Sequence, residues 1–383
     1  MQIATAISQS FTEFINSAKA GGIVLILCTL VSLAIANTAL GPQYLKFWHT
    51  HIAGLSIELW VNDALMAVFF LLVGLELERE LYCGELSDLR RAILPAIAAL
   101  GGIALPSLIH FSLNHGTETQ AGLGIPMATD IAFALGVLAL LGSRIPATLK
   151  VFLAALAVMD DLGAIVVIAL FYTSTMAVGY LLAALVTFGA LMFMNRKLRV
   201  AALSPYLIGG AVLWFLMLKS GVHATIAGVL LAFTIPFSKT QDDEKSPSHR
   251  LEHALHKPVA FIILPIFALA NTGIALTSDW SQQLLSLNSL GIILGLVIGK
   301  PVGITLASMA AVALGVSKLP DGLTWPHIAG VSMLGGIGFT MSIFIANLAF
   351  PSSPEIVNAA KLAILVGSLI SGVAGYTWLR KAA

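Results

Sequence analysis

From about residue 20 onward the chain alternates between long apolar runs and short polar or glycine-rich breaks. An α-helix rises about 1.5 Å per residue, so roughly 20 apolar residues cross the hydrocarbon core of a bilayer. On that measure the pattern predicts twelve spans, at 20–38, 58–82, 92–113, 119–141, 147–173, 178–195, 204–219, 221–236, 252–274, 287–313, 326–349 and 356–379. The seventh and eighth are short and divided only by Ser220-Gly221, and the fourth contains Gly122, Gly124 and Pro126. The expected architecture is an all-α polytopic membrane protein of one domain, residues 1–383. Residues 1–19 carry Glu13 and Lys19 and lack a basic leader before an apolar core. They are expected to lie on the membrane surface, with residues 8–18 as a short amphipathic helix, rather than to be a cleavable signal. Residues 237–251 form the hydrophilic loop.

Composition agrees with the pattern. The chain is 58% hydrophobic and 10% charged, with a mean hydropathy of +0.94. Soluble domains carry about 25% charged residues. A net charge of +1 points to no nucleic acid or other polyanionic partner. Cys28 and Cys83 stand in no metal-binding spacing, and no cofactor is expected. Basic residues set the orientation. With the amino terminus inside, Lys and Arg collect at cytoplasmic ends; of the 20, only Lys46, Lys219 and Lys361 fall outside and Lys300 within the membrane. This positive-inside bias predicts both termini cytoplasmic.

Against this apolar background the candidate chemistry stands out. Asp160 and Asp161 sit in a run, 151–172, that otherwise carries no charge, about 15 Å from either end. A carboxylate at a helix centre costs about 2.5–3.5 kcal/mol on insertion scales, so the pair is expected to face a protein cavity. Successive helical residues point about 100° apart, which favours one carboxylate on an ion and the other on a partner. Hard cations such as Na⁺ or Li⁺ take oxygen ligands and favour the charged form, so cation and protons would compete for the same oxygens. Lys300, before Pro301, is the expected counter-charge. It either pairs with Asp160 until a cation binds, which would make it a proton carrier, or only holds the fold together.

Two spans are interrupted alike. The fourth reads Gly124-Ile-Pro126-Met-Ala-Thr129-Asp130, and the eleventh Gly335-Gly336-Ile-Gly338-Phe-Thr340-Met-Ser342. Broken helices in matching places of two halves point to a transporter's binding site, because unwound backbone at that depth survives only lining a cavity or buried in protein. Spans 3–5 and 10–12 are accordingly expected to be inverted repeats. Thr129 and Asp130 are read both as ligands or charges at the break and as a helix cap. Asp63 and His223 are secondary candidates, and a lone histidine such as His223 is more often a packing or capping residue. Glu76, Glu78, Arg79 and Glu80, with Glu252, His253 and His256, form mixed clusters at inner helix ends. They are either ordinary wet ends or groups that titrate near neutral pH and gate the mouth.

Together, Val61-Asn-Asp63-Ala-Leu-Met through Gly74-Leu-Glu76, Pro126-Met-Ala-Thr-Asp130, Met159-Asp-Asp-Leu-Gly-Ala164, Gly299-Lys-Pro301 and Gly336-Ile-Gly-Phe-Thr-Met-Ser342 resemble the NhaA-type sodium/proton antiporters, from about Ala20 to Arg380. The resemblance implies twelve helices with the fourth and eleventh unwound and crossing, and homodimers in the bacterial inner membrane. It also implies electrogenic, pH-regulated exchange of cytoplasmic Na⁺ or Li⁺ for external H⁺. By motif, Asp161, Asp160 and Thr129 match the cation site, and Asp130 and Lys300 the charges that balance the crossed half-helices. Glu76, Arg79, Glu80, Glu252, His253 and His256 match the pH-sensing cluster. Glu78 and His249 depart from that pattern, and the loop 41–59 leaves room only for an abbreviated dimerisation hairpin. Two other readings are weighed. A sodium-coupled symporter of an organic solute needs a roomier site, and an intramembrane aspartyl protease needs Asp130 and Asp160 face to face.

Overall fold

In the computed structural model the described residues are 20–172, 176–238, 246–276 and 278–382. The surface helix expected at 8–18 therefore lies outside them. The chain opens with α1, Ala20–Ala36, and turns through 119° into α2, Gly41–Trp48. A hairpin follows, β1 His51–Ile52 against β2 Leu55–Ser56. Its turn residues Ala53 and Gly54 both have positive φ, matching the twist that tight hairpins need. The helices α3 Ile57–Tyr82 and α4 Leu89–Asn114 come next. A 3₁₀ segment, Gln120–Met127, leads to α5 Ile131–Leu140 and α6 Ala147–Phe171. Then come α7 Val178–Arg196, α8 Leu203–Ser220, α9 Ile226–Ala232 and α10 Pro247–Asn271. After the short α11, Trp280–Leu284, run α12 Leu287–Ala313, α13 Trp325–Gly335, α14 Phe339–Ala349 and α15 Pro354–Ala382. Single π-helical turns interrupt α3, α10 and α12.

Among the described residues nine helices are long and apolar enough to cross a membrane, or eleven if α1/α2 and α13/α14 each count as one bent span. The protein is thus a polytopic all-α membrane protein, and the difference from twelve is specific. The expected span 221–236 is only the seven-residue α9, about 10 Å long. Gly221, in the left-handed region, ends α8 before it. Gly228 presses α9 onto α3 so closely that a Cβ there would lie 2.1 Å from the Ala67 carbonyl oxygen. In the fourth span the extended break falls at 128–130, taking in Thr129 and Asp130 as the pattern predicts, and Pro126 lies just before it within the 3₁₀ segment. In the expected loop 237–251, residues from Pro247 onward are already helical.

The helices pack as two groups. In one, α4 crosses α12 and both meet the 3₁₀ segment; α4 packs on α6 and α12 on α13 and α15, and α14 lies against the 3₁₀ segment and α15. In the other, α3 packs on α9 and α10, and α8 on α7 and α9. The groups meet where α3 touches α6 and where α10 touches α14. At the α4–α12 crossing the main chains nearly touch, since a Cβ on Gly303 would stand 2.2 Å from the Gly101 carbonyl oxygen. The outer faces are apolar, as at Leu170, Val186 and Leu369, which suits contact with lipid tails.

Candidate cation site

Helix α6 carries Asp160 and Asp161 near the middle of its 25 residues. Both are buried at 0% and 1% exposure, and Lys300, from α12, at 0%. The Lys300 ammonium lies 2.8 Å from Asp160 Oδ2 and also donates to the Met127 carbonyl at the end of the 3₁₀ segment. A buried charge persists only when paired and hydrogen-bonded, and these two partners meet that condition. Asp160 Oδ2 is also 2.6 Å from the Thr129 hydroxyl, which in turn lies 2.9 Å from the Gly335 carbonyl oxygen at the end of α13. Asp160 Oδ1 and Asp161 Oδ1 are buried without a hydrogen-bond partner. Two carboxylates thus hold oxygen donors uncommitted to any protein group, beside a lysine and two helix breaks.

The breaks meet each other. Asp130 caps α5 by accepting from the Phe133 amide at 2.9 Å, and it also accepts from the Thr340 amide, 3.1 Å away, and the Thr340 hydroxyl. One carboxylate therefore sits at the amino-terminal, positive ends of both α5 and α14, where a negative charge is favoured. The Asp130 amide donates to the Ile337 carbonyl at 2.7 Å, and the Ser342 hydroxyl to the Ile125 carbonyl at 2.7 Å. Main-chain groups freed by the unwinding are satisfied across the pair, as buried polar groups require. Gly336 lets the eleventh-span break approach α12, since a Cβ there would meet the Leu296 carbonyl oxygen at 2.3 Å. Gly335 and Gly338 flank it, and Pro126 packs against Gly295 of α12.

A second cluster forms between α3 and α10. Glu252 lies 2.9 Å from the Arg79 guanidinium and 3.6 Å from the His256 imidazole. His256 is also 3.5 Å from Glu76, and Arg79 3.3 Å from Glu80. His253 is exposed and lies on a different face of α10 from this pair. Glu76 and His256 line a cavity of about 50 Å³ that reaches Ile131 and Ala132 at the start of α5. Asp63 and His223 fall outside both networks. Asp63 stands in the π turn of α3, and its carbonyl accepts from Trp214 Nε1. His223 places Nε2 2.8 Å from the Tyr172 carbonyl at the end of α6, the capping role weighed for a lone histidine.

Sequence reasoning overlooked a set of buried amides. Asn271 Nδ2 donates to Asn62 Oδ1 at 2.8 Å, and Asn347 Nδ2 to Asn271 Oδ1 at 2.6 Å. His110, fully buried, lies 3.0 Å from Asn288. A helical pattern shows that an Asn or His within an apolar run must find a partner, but not which one.

The comparisons with known proteins fit this arrangement. The family described as Na+/H+ antiporter 1 matches residues 12–379. A protein of Dechloromonas aromatica named Na(+)/H(+) antiporter NhaA is 68% identical, over 98% of this chain and 96% of its own length. Relatives of the same name from Flavobacterium psychrophilum and Cytophaga hutchinsonii are 58% and 55% identical, over 97% and 98% of this chain and 95% and 96% of theirs. The chain belongs to the Na⁺/H⁺ antiporter 1 family.

Proposed function

We propose that this antiporter exchanges cytoplasmic Na⁺ or Li⁺ for external H⁺ by competition for Asp160 and Asp161. The observation that carries the reading is the uncommitted Oδ1 of each buried aspartate, next to the Asp160–Lys300 pair. Asp161, with no ion pair of its own at the site, is the principal cation ligand, and Thr129 contributes its hydroxyl oxygen. A cation that draws on Asp160 weakens the hold on Lys300, which can then shed a proton; protonation of the aspartates expels the cation. More than one proton per cation makes the cycle electrogenic.

The Thr129 geometry adds a detail to this competition. A hydroxyl has one hydrogen, so Thr129 cannot donate to Asp160 and to the Gly335 carbonyl at once. It donates to a charged Asp160, and turns to Gly335 when Asp160 carries its own proton. Asp130 and Lys300 balance the four half-helix ends where the fourth and eleventh spans cross. The bias of Lys and Arg supports cytoplasmic termini in a bacterial inner membrane, and puts the hairpin, Lys219 and Lys361 outside. In that frame the cluster of Glu76, Arg79, Glu80, Glu252 and His256, with His253 exposed on the adjoining face of α10, faces the cytoplasm and tunes activity with pH, and the hairpin joins a homodimer. Spans 3–5 and 10–12 are then repeats of opposite topology, and the mutual approach of Gly101 and Gly303 supports that relation.

The two other readings fare worse. An organic solute needs a pocket of roughly 300–1,000 Å³, far above the cavity beside Glu76. A protease would need Asp130 and Asp160 turned to one substrate, but Asp130 is taken up by Phe133 and Thr340 and Asp160 by Lys300. Dequenching of a pH-gradient dye in inverted vesicles tests the proposal, with Na⁺, Li⁺ and K⁺ added in turn across roughly pH 6.5–8.5. Na⁺ and Li⁺ should each dissipate the gradient, and Asp161→Asn should abolish both responses. Near-normal exchange by that variant would remove Asp161 from the site.

A further inference from the structure

The two helix groups are tied by side chains at the end of the molecule that carries the hairpin. The buried amide chain is one tie: Asn62 of α3 and Asn271 of α10 belong to one group, and Asn347 of α14 to the other. Asn271 is 1% exposed, and its amide also donates to the Phe267 carbonyl at 3.0 Å. The second tie is ionic. Lys361 of α15, itself buried, places its ammonium 3.9 Å from Glu58 in the first turn of α3, and the other Glu58 oxygen lies 3.3 Å from His49 at the end of α2. The third is the contact of His223 with the Tyr172 carbonyl, which joins the segment after α8 to the end of α6. Below the amides, Phe70 of α3 and Phe344 of α14 close the same seam, with ring centroids 5.5 Å apart. Toward the other end, the cavity beside Glu76 lies between the groups, bounded by α3, α10 and α5.

We propose that Asn347 and Lys361 are positioning residues that latch the external side of the antiporter, with Asn271 and Glu58 as their catches. While these ties hold, the broken helix α14 and α15 stay against α3 and α10, and the site is approached from the cavity side. Exposure of Asp160 and Asp161 to the outside requires the Asn347–Asn271 hydrogen bond and the Lys361–Glu58 pair to open. Weakening either tie without changing the site shifts the protein toward its outward-facing state, because a difference in stability between two states is a difference in their populations. This rests on the exchange mechanism above, in which the site faces the two sides in turn.

The test reads exposure instead of transport, so it stands apart from the ion-site assignment. With Cys28 and Cys83 replaced by Ser, a reporter cysteine at Ile343 of α14 (0% exposed, one turn from Asn347 on the same helix face) probes the external seam, and one at Ala132 probes the cavity. A membrane-impermeant maleimide is applied to right-side-out and inverted vesicles. Asn347→Leu should speed external labelling at Ile343 by about fivefold, the scale of one neutral hydrogen bond, and slow labelling at Ala132 from the cytoplasmic side. Lys361→Met, on the independent tie, should act in the same direction and keeps the test open if the first variant fails to fold. Unchanged rates in a folded latch variant, or faster labelling at both reporters as general loosening would give, would overturn the latch.

Discussion

At the scale of single residues, Thr129 offers the sharpest separation of roles. A hydrogen bond to a charged group is worth about 1.5–3 kcal/mol, so Thr129→Val should weaken apparent Na⁺ affinity by roughly tenfold or more, and Thr129→Ser should restore most of it. Sodium titration of exchange at fixed pH measures both. If Thr129 also relays the protonation of Asp160 to Gly335, the valine variant should lose part of the pH dependence of that affinity. Lys300→Ala takes away the partner of Asp160 and a donor to Met127, leaving a buried carboxylate uncompensated. Breaking a buried pair costs about 3–5 kcal/mol, so a lower unfolding temperature in detergent is expected, together with weaker voltage dependence of exchange in proteoliposomes. The Asp160–Asp161 pair was legible in the chain because charge inside an apolar run is expensive and must have a use. The amides of Asn62, Asn271 and Asn347 were not. Asparagine is a modest polar residue, and its partners here are 209 and 76 positions away.

At the scale of elements, unwinding is stabilised by reciprocity: each broken span supplies what the other lacks. Asp130→Asn keeps the shape but removes the charge at two helix amino termini, each worth about 0.3–1 kcal/mol or more where partly buried. A fall in melting temperature, with Na⁺ binding by calorimetry retained in part, is the expected result. Gly336→Ala should be worse than its size suggests, because a Cβ there meets the Leu296 carbonyl, which is backbone and cannot turn aside. Failure to reach wild-type levels in the membrane would register this. The Gly and Pro residues marked both broken helices, and the fourth break falls at Thr129 and Asp130 as the chain suggests, yet hydropathy gave α9 too many residues. The cause is general. An apolar run reports burial, and a segment packed on neighbouring helices looks the same whether it is α-helix, 3₁₀ turn or extended chain.

At the scale of the whole molecule, the fold class could be read from the sequence, whereas the division into two groups could not, since it depends on which helices touch. The hairpin follows the same logic. Its strands have two residues each and expose few backbone groups for pairing with another copy. A dimer held this way should be dilutable, and light scattering across protein concentrations in mild detergent should show a monomer–dimer equilibrium. Finally, because one Asp130 carboxylate is bonded to amides of both α5 and α14, neither half-helix can fray without releasing the other. Hydrogen exchange should therefore find the amides of Phe133 and Thr340 opening together, as one cooperative unit, despite their distance along the chain. If so, the binding site is carried through the transport cycle as a single stiff body, and the softness that exchange requires lies between the helix groups and not within the cradle.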